Sequence, residues 1–493
     1  MKILLVYPEY PDTFWSFKYA LKFVSKKAAY PPLGLITVAS LFPKHWETKL
    51  VDMNIEKLHS SDLVWADYVF LSAMNTQILS AITVIARCNH LNIPVVAGGP
   101  LFTADYKKFG NVDHLVLNEA EITLPHFLKD LENGKPKHLY QTEQFATMKD
   151  SPVPDYSLVK LNKYTSQSIQ FSRGCPFNCE FCDITALLGH QCRLKSTDQI
   201  ITELQNLYDQ NFRGSVFFVD DNFIGNKKNI KTKLLPAIIT WMEQHNYPFH
   251  FTTEASINLS DDEELMNLMT RAGFLSVFIG IETPEEMSLN ECNKVQNKNR
   301  NLIDSVKKVQ KAGMEVLGGF IIGFDSDTPN IFQRQIQFIQ ESGIISAMVG
   351  LLNAPTKSQL YKRLQSEGRI LDDWDGDNTS NAMNFIPKMD SEKLRNGFNQ
   401  VIRGIYSGKA FYERVKNFLK DFEPKVKSKN KMNATKLKAF FRSVFIIGIL
   451  DRDRKYYWKL FFWSLIHRRD MFPMAITYAV YGYHFKRSYT KIF

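Results

Sequence analysis

Three cysteines set the tightest constraint on this chain. Cys175, Cys179 and Cys182 stand in a C-x3-C-x2-C run inside Ser172-Arg173-Gly174-Cys175-Pro176-Phe177-Asn178-Cys179-Glu180-Phe181-Cys182. Thiolates that bind one small inorganic core must converge, and a tight loop with short gaps supplies them. Gly174 and Pro176 let such a loop turn. A [4Fe–4S] cluster has four irons and is often held by four thiolates. The local run provides three, which leaves one iron open to an exogenous ligand. Two other readings compete with the cluster. Zinc would want a fourth Cys or His, and His190 and Cys192 lie near enough to offer one. The three cysteines could also be unrelated buried residues. The spacing favours the cluster.

With Phe181 just ahead of the last cysteine, the run resembles that of the radical S-adenosylmethionine (SAM) enzymes, whose SAM chelates the open iron. Length then bounds the architecture: 493 residues exceed one ordinary core, so two or three domains are expected. Six cysteines, three of them in one motif, are no disulfide framework and point to a reducing cytoplasm. The opening MKILLVYPEY reads as a first buried strand rather than a signal peptide. Charge is uneven. Residues 401–493 carry 21 Lys and Arg against 6 Asp and Glu, while the 400 before them carry 40 against 45. A basic surface attracts nucleic acid and anionic lipid alike, so composition alone does not choose.

The first third alternates apolar runs with helical stretches. Lys2–Tyr7, Lys49–Asp52, Tyr68–Ser72, Pro94–Gly98 and His114–Leu117 read as strands; Pro31-Pro32 opens one helix, and Ile78–Arg87 and Ile122–Leu131 are others. That order predicts a doubly wound α/β, Rossmann-like domain over 1–147, with ligands at the carboxyl ends of its strands. The features after the strands resemble the cobalamin-binding domain that precedes many radical SAM cores: Asp52-Met53-Asn54, Ser72-Ala73-Met74-Asn75, Ala97-Gly98-Gly99-Pro100 and Asn118-Glu119-Ala120-Glu121. The resemblance makes Ser72, Asn75, Gly98, Gly99 and Glu119 cobalamin contacts. The Asp-x-His-x-x-Gly motif of methionine-synthase-type domains is missing, so a histidine lower ligand to cobalt is not expected.

Met148–Tyr156 is polar and proline-punctuated, and 148–165 is read as a linker. Ser168–Ser172 then opens a second domain, 166–372, and the cysteine loop follows it directly, where β/α barrels keep catalytic groups. Strand runs recur at Ser215–Val219, Phe249–Thr253, Ser276–Ile281, Glu315–Asp325 and Ala347–Leu352. Six β/α units make a partial (β/α)6 barrel, open on one side. Polar groups gather at the strand ends, where a buried acid calls for a ligand or partner. On the radical SAM resemblance, Asp220 or Asp221 is expected at the SAM amino group, and Glu254, Ser256 or Glu282 at the ribose. Gly323 is expected to let the backbone close over the adenine. For each residue alone, a cap or loop salt bridge is an equal reading. Met74 and Cys292 read as packing residues.

From Ser391 the chain reads helical to its end, after an acidic loop, Asp372–Asp377. Lys425–Lys431 is a basic, linker-like run, followed by aromatics mixed with Lys and Arg. The longest charge-free stretch, Met471–His484, falls short of the ~20 apolar residues of a spanning helix. The 373–493 region therefore reads either as an interfacial membrane contact or as a helical cap on the barrel with a solvated basic face.

Taken together, Gln170–Cys175, Phe218–Gly225, Thr253–Leu259 and Phe278–Pro284 resemble the cobalamin-dependent radical SAM proteins, in the branch with an added helical C-terminal domain that includes hopanoid C-2 methylases. The likeness spans nearly the whole chain. Pro355-Thr356-Lys357 departs from the relatives' Pro-Gly-Thr turn, and Asn118 stands where many have glycine. The resemblance implies a [4Fe–4S] cluster on Cys175, Cys179 and Cys182, two uses of SAM, and cobalamin as methyl carrier. SAM would be cleaved to a 5′-deoxyadenosyl radical that takes a hydrogen atom from an unactivated carbon, and that carbon would then receive a methyl group. It also implies a small, lipid-like substrate and an electron donor such as flavodoxin or ferredoxin. Cobalamin-dependent cyclisation or oxidation without methyl transfer is the competing enzyme class. A tRNA-binding or non-catalytic protein is the third; the intact triad argues against a non-catalytic role, and no nucleic acid is expected.

Overall fold

Apolar runs build two all-parallel sheets; those of the first are buried on both faces, and those of the second alternate buried with half-buried positions. The computed structural model describes residues 1–372, 374, 376, 377, 379, 381–425 and 434–489. Asp373 and Asp375 of the acidic loop, and 426–431 of the basic run, lie outside them.

The first sheet contains β1 (Lys2–Tyr7), β2 (Glu47–Asp52), β3 (Tyr68–Ser72), β4 (Val95–Gly98), β5 (His114–Val116) and β6 (Leu139–Tyr140). Their order is β2-β1-β3-β4-β5-β6. The chain steps to one side of β1 and then to the other, so the switch point lies between β1 and β3. The two-residue β6 is too short to carry a sequence pattern; it forms because Leu115 and Val116 offer a free ladder edge.

The second sheet contains β7 (Ser166–Ile169), β10 (Gly214–Phe218), β11 (Phe249–Glu254), β12 (Phe274–Glu282), β13 (Glu315–Ile322) and β14 (Ala347–Leu351), hydrogen-bonded in that order. It is the six-unit partial barrel, with β7 and β14 as its edges. Between β7 and β10 lies a two-stranded antiparallel ribbon of β8 (Ser172–Arg173) and β9 (Arg193–Leu194). The first barrel strand ends at Ile169, short of the expected Ser172. The amides of Phe171 and Ser172 donate to the Asp220 carboxylate and so leave the ladder.

Residues 14–29 do not stay with the first sheet. Ala28 bridges Tyr164, Phe14 stacks on Phe485 with ring centroids 4.3 Å apart, and Trp15 Nε1 donates to Met348 Sδ at 2.9 Å. The Tyr164 hydroxyl donates to Asp52 at 2.8 Å and joins the linker to the end of β2.

Helices Ser391–Tyr406, Gly408–Asp421 and Phe472–Ser488 cap the barrel. Tyr406 and Tyr489 donate their hydroxyls to the Ala347 and Val349 carbonyls of β14. Among the described residues no helix is long and apolar enough to cross a membrane. Cys292 is buried as expected, but Met74 is 47% exposed at the open end of β3. Its sulfur accepts from the Tyr10 hydroxyl at 3.5 Å.

Candidate active site

The cysteine loop leaves the sheet after β8 at the carboxyl end of the barrel strands. Its first turn requires glycine. Gly174 has φ +94°, and a Cβ there would stand 2.5 Å from the Gln191 carbonyl oxygen. The loop is held by protein on each side. Gly189 accepts from the Cys175 amide, Cys292 accepts from the Glu180 amide, and Arg363 forks onto the Glu180 carboxylate at 2.6 and 3.2 Å. All three cysteines are half-buried and free of disulfides. Burial pushes the Cys175 and Cys182 thiols up. Among the described residues no three His, Cys, Asp or Glu side chains stand close enough to share one metal ion. A cluster, which takes each thiolate on a different iron, suits the donor set. Cys192, the alternative fourth ligand, instead donates its thiol to the Gly174 carbonyl at 3.4 Å.

Two residues that no motif singled out reach the loop from the segment after β12. Gln296 Nε2 donates to Cys179 Sγ at 3.7 Å, and Lys294 Nζ lies 5.8 Å from the centre of the Phe181 ring. Burial would lower the Lys294 ammonium, but Glu282, 2.6 Å away, and the Cys179 sulfur hold it above its ordinary value.

The strand-end acids divide into two groups. Asp220 is 1% exposed, and both its oxygens accept from the loop: the amides of Phe171 and Ser172 and the Ser172 hydroxyl. Burial pushes its carboxyl up to about 7. Ser256 binds Asn222 and Asn258, and Glu282, at φ +64°, is paired with Lys294. These three are engaged within the protein. Asp221 accepts from the Gly174 amide at 3.3 Å, and burial lifts it to about 6. Glu254 is lifted to about 8, by burial first and then by the charges of Asp221 and Asp220. Gly323, at φ +109°, opens the loop after β13, and its amide donates to Asp327. Phe181 and Phe324 meet beside it with centroids 6.4 Å apart.

On the first sheet, Ser72, Gly98 and Gly99 come together at the ends of β3 and β4. A Cβ on Gly99 would fall 2.5 Å from Ser72 Oγ, and one on Gly98 would fall 2.6 Å from the Val116 carbonyl. The two glycines let the ends of β3, β4 and β5 pack this closely, which no larger residue would allow. Asn75 lies beneath Gly376, whose added Cβ would meet the Asn75 Cβ at 2.7 Å. Glu119 is placed differently from the others. Its carboxylate accepts from Arg173 at 3.1 Å, from Arg193 at 2.7 and 2.9 Å, and from the Ala146 amide. Arg173 also grips Glu121 at 3.0 and 2.8 Å; burial would raise that carboxyl, but the guanidinium holds it down. Since Arg173 and Arg193 belong to β8 and β9, this cluster fastens the first domain to the ribbon that carries the cysteines.

The concave face of the barrel mixes aromatic and polar side chains. Along β10–β12 one set of residues is fully buried (Val216, Phe218, Phe251, Val277), while the alternate set (Phe217, Thr252, Glu254, Ser276, Phe278) is only half-buried. Tyr30 packs on Phe217 at 5.1 Å and Trp15 edges onto Phe278 at 5.5 Å. Both come from the crossing segment 14–29 or its end.

Comparison with known proteins agrees with this layout. Family models match residues 24–128 as a B12 binding domain, 169–339 as the Radical SAM superfamily, and 358–493 as a domain of unknown function (DUF4070). An uncharacterized methyltransferase of Synechocystis sp. is 40% identical over 98% of this chain and 91% of its own length. The hopanoid C-2 methylase of Rhodopseudomonas palustris is 36% identical over 78% of this chain and 73% of its own. Among solved structures, the cobalamin-dependent SAM radical enzyme OxsB with aqua-cobalamin superposes with a TM-score of 0.62 at 13% identity, covering 100% of this chain and 80% of that one. The radical SAM methyltransferase TsrM of Kitasatospora setae, bound to cobalamin and a [4Fe–4S] cluster, gives 0.60 at 14% identity, covering 96% and 99%. The chain uses a [4Fe–4S] cluster, SAM and cobalamin, and it belongs to the cobalamin-dependent radical SAM enzymes, in the methyltransferase branch with a helical C-terminal domain that includes the hopanoid C-2 methylases.

Proposed function

We propose that this enzyme methylates an unactivated carbon of a hydrophobic, lipid-like small molecule bound on the concave barrel face. The aromatic lining carries the reading: Tyr30 on Phe217 and Trp15 on Phe278 offer broad apolar surface beside the strand ends. A relative named for a hopanoid supports the same substrate class. When bound, the cluster, SAM and cobalamin supply a hydrogen-abstracting radical and a methyl donor.

The chain's own residues hold and orient. Cys175, Cys179 and Cys182 anchor the cluster. Asp221, which accepts from the loop's Gly174 amide, and Glu254, at the end of β11, take the amino and ribose groups of SAM, and Gly323 admits the adenine beside Phe181. Asp220, Ser256 and Glu282 fix the strand ends that carry them. Ser72, Asn75, Gly98 and Gly99 cradle cobalamin, while Glu119 locks the cradle to the cysteine ribbon. The aromatic wall excludes water from the reacting carbon. A flavodoxin- or ferredoxin-type donor supplies electrons, and the C-terminal domain meets a membrane surface. The test is anaerobic turnover of the reconstituted enzyme with detergent-dispersed lipid extract. A methylated lipid formed alongside S-adenosylhomocysteine and 5′-deoxyadenosine supports the reading; 5′-deoxyadenosine without S-adenosylhomocysteine overturns it.

A further inference from the structure

The region that matches only a domain of unknown function carries a surface the barrel does not use. One continuous helix runs from Ala434–Ser443 into Val444–Leu450. Along it Leu437, Phe441, Phe445 and Ile449 recur every four residues and so share one face. They are 45, 61, 56 and 53% exposed. On the next helix, Arg454–His467, Phe462 and Ile466 are four apart and 56 and 71% exposed. The opposite faces are buried: Ser443, Ile447 and Gly448 on one helix, Tyr457, Leu460 and Ser464 on the other.

The exposed rings are fixed rather than loose. Trp458 Nε1 donates to the Gly448 carbonyl at 2.8 Å and stacks on Phe462 at 5.7 Å, and the Ser443 and Tyr457 hydroxyls meet at 3.0 Å. Arg442 donates to the Lys22 and Phe23 carbonyls, which anchors the hairpin to the crossing segment. The two apolar stripes therefore stand on a rigid helical hairpin. Around them the charge is one-sided. Residues 434–469 contain nine Lys and Arg against Asp451 and Asp453, and Asp453 is paired with Lys486 at 2.6 Å. Lys455 and Lys459 both lie against the Tyr456 ring at the edge of the second stripe.

We propose that this hairpin is a docking face for an anionic lipid bilayer, with the Phe, Leu and Ile stripe below the headgroups and the lysines among the phosphates. An apolar face flanked by cations is the pattern of helices that lie in a membrane interface. RNA would satisfy the charge and leave the aliphatic stripe in water. A second copy would cover the stripe while setting nine cations against nine. The docking deepens the membrane contact proposed above for the C-terminal domain, and its purpose rests on the hydrophobic-substrate reading, since it would bring the barrel to the phase where such a substrate dissolves.

The test is sedimentation of the full-length protein with vesicles of phosphatidylcholine, alone or mixed with phosphatidylglycerol, and containing no substrate. Wild type is expected to bind the mixed vesicles and to release in high salt. The triple variant Phe441→Ser, Phe445→Ser, Phe462→Ser loses binding more than about tenfold. Lys455→Gln with Lys459→Gln loses roughly thirtyfold on the mixed vesicles only, at about fivefold per cation. Val64→Ser, an exposed apolar residue far from the hairpin, changes nothing, and unchanged circular dichroism shows that the variants fold. The proposal is overturned if wild type ignores both vesicles, or if the triple variant sediments like wild type. It is also overturned if RNA binds as tightly as the vesicles and the triple variant leaves that unchanged. A dimer that the triple variant converts to monomer, with no vesicle binding, would assign the face to a second copy instead. Methylation assayed in detergent scores the substrate reading separately, so either idea can fail alone.

Discussion

Glu119→Gln should loosen the joint between the cobalamin cradle and the cysteine ribbon. The substitution keeps the shape and removes the charge from a carboxylate whose side chain is 4% exposed and which faces two guanidiniums. Breaking a buried ion pair by removing one partner costs about 3–5 kcal/mol, because the remaining charge stays buried. Arg173 keeps its two bonds to Glu121, and Arg193 keeps the Leu188 and Ala146 carbonyls, so the lower end applies, about 3 kcal/mol. For a unit of this size that is a drop of roughly 6–12 °C in apparent midpoint. Differential scanning fluorimetry measures it directly, and pairing the change with Arg193→Gln in a double-mutant cycle isolates the shared term. The expected coupling is strong, with the double variant little worse than Glu119→Gln alone. A midpoint within a degree or so of wild type, or fully additive losses, would refute the clamp. Loss of cobalamin retention with an unchanged midpoint would return Glu119 to a direct cofactor role.

Gly174→Ala should cost roughly 1–2 kcal/mol in backbone strain before its clash with the Gln191 carbonyl. Iron bound after reconstitution should fall below half of wild type, and full loading would contradict the tight-turn reading. Gln296→Leu removes an N–H donor to Cys179 sulfur and should drive the cluster midpoint more negative in an EPR-monitored titration; an unmoved midpoint removes Gln296 from the cluster's surroundings. Glu254 holds its proton to about pH 8 in the folded chain but releases it near 4.5 when unfolded. Stability should therefore fall as pH rises through that window, relative to Glu254→Gln. Urea midpoints of the two proteins at about pH 5 and about pH 8.5 measure this, and a constant difference between them would disprove it.

The parts of the molecule written in local pattern were readable in the sequence. Apolar runs such as Lys2–Tyr7, buried along its middle, and Glu315–Ile322, mostly buried, recur at spacings that give two parallel sheets and six barrel units. The cysteine loop is equally local, because its ligands lie within eight residues. What the sequence hides is long-range. Arg173 and Arg193 meet Glu119 across 54 and 74 positions, and Gln296 meets Cys179 across 117. No periodicity announces such pairs, and an acid after a strand looks the same whether it awaits a ligand or an arginine. Asp220 shows the same ambiguity: one of the two carboxylates expected at the SAM amino group, it accepts from the backbone of the loop. The crossing segment is hidden for a related reason. Phe14, Trp15 and Tyr30 lack any regular spacing, yet they furnish the wall of the concave face and seat the last helix.

The tail was ambiguous for a physical reason as well. Its aromatics serve two surfaces at once. Tyr406, Phe485 and Tyr489 fill the contact with β14 and Phe14, and Phe441, Phe445 and Phe462 remain outside. Composition sums both sets; only the fold separates them.

The proposed reaction transfers a methyl group to a carbon of a hydrophobic molecule and starts at the Cys175–Cys179–Cys182 loop. Its most direct test is anaerobic turnover of the enzyme reconstituted with iron, sulfide and cobalamin, using SAM labelled in its methyl group and a panel of dispersed lipids. Label is expected in a single lipid class, with S-adenosylhomocysteine and 5′-deoxyadenosine formed together, and none with Cys179→Ala. A product that lacks the label while 5′-deoxyadenosine accumulates would contradict it.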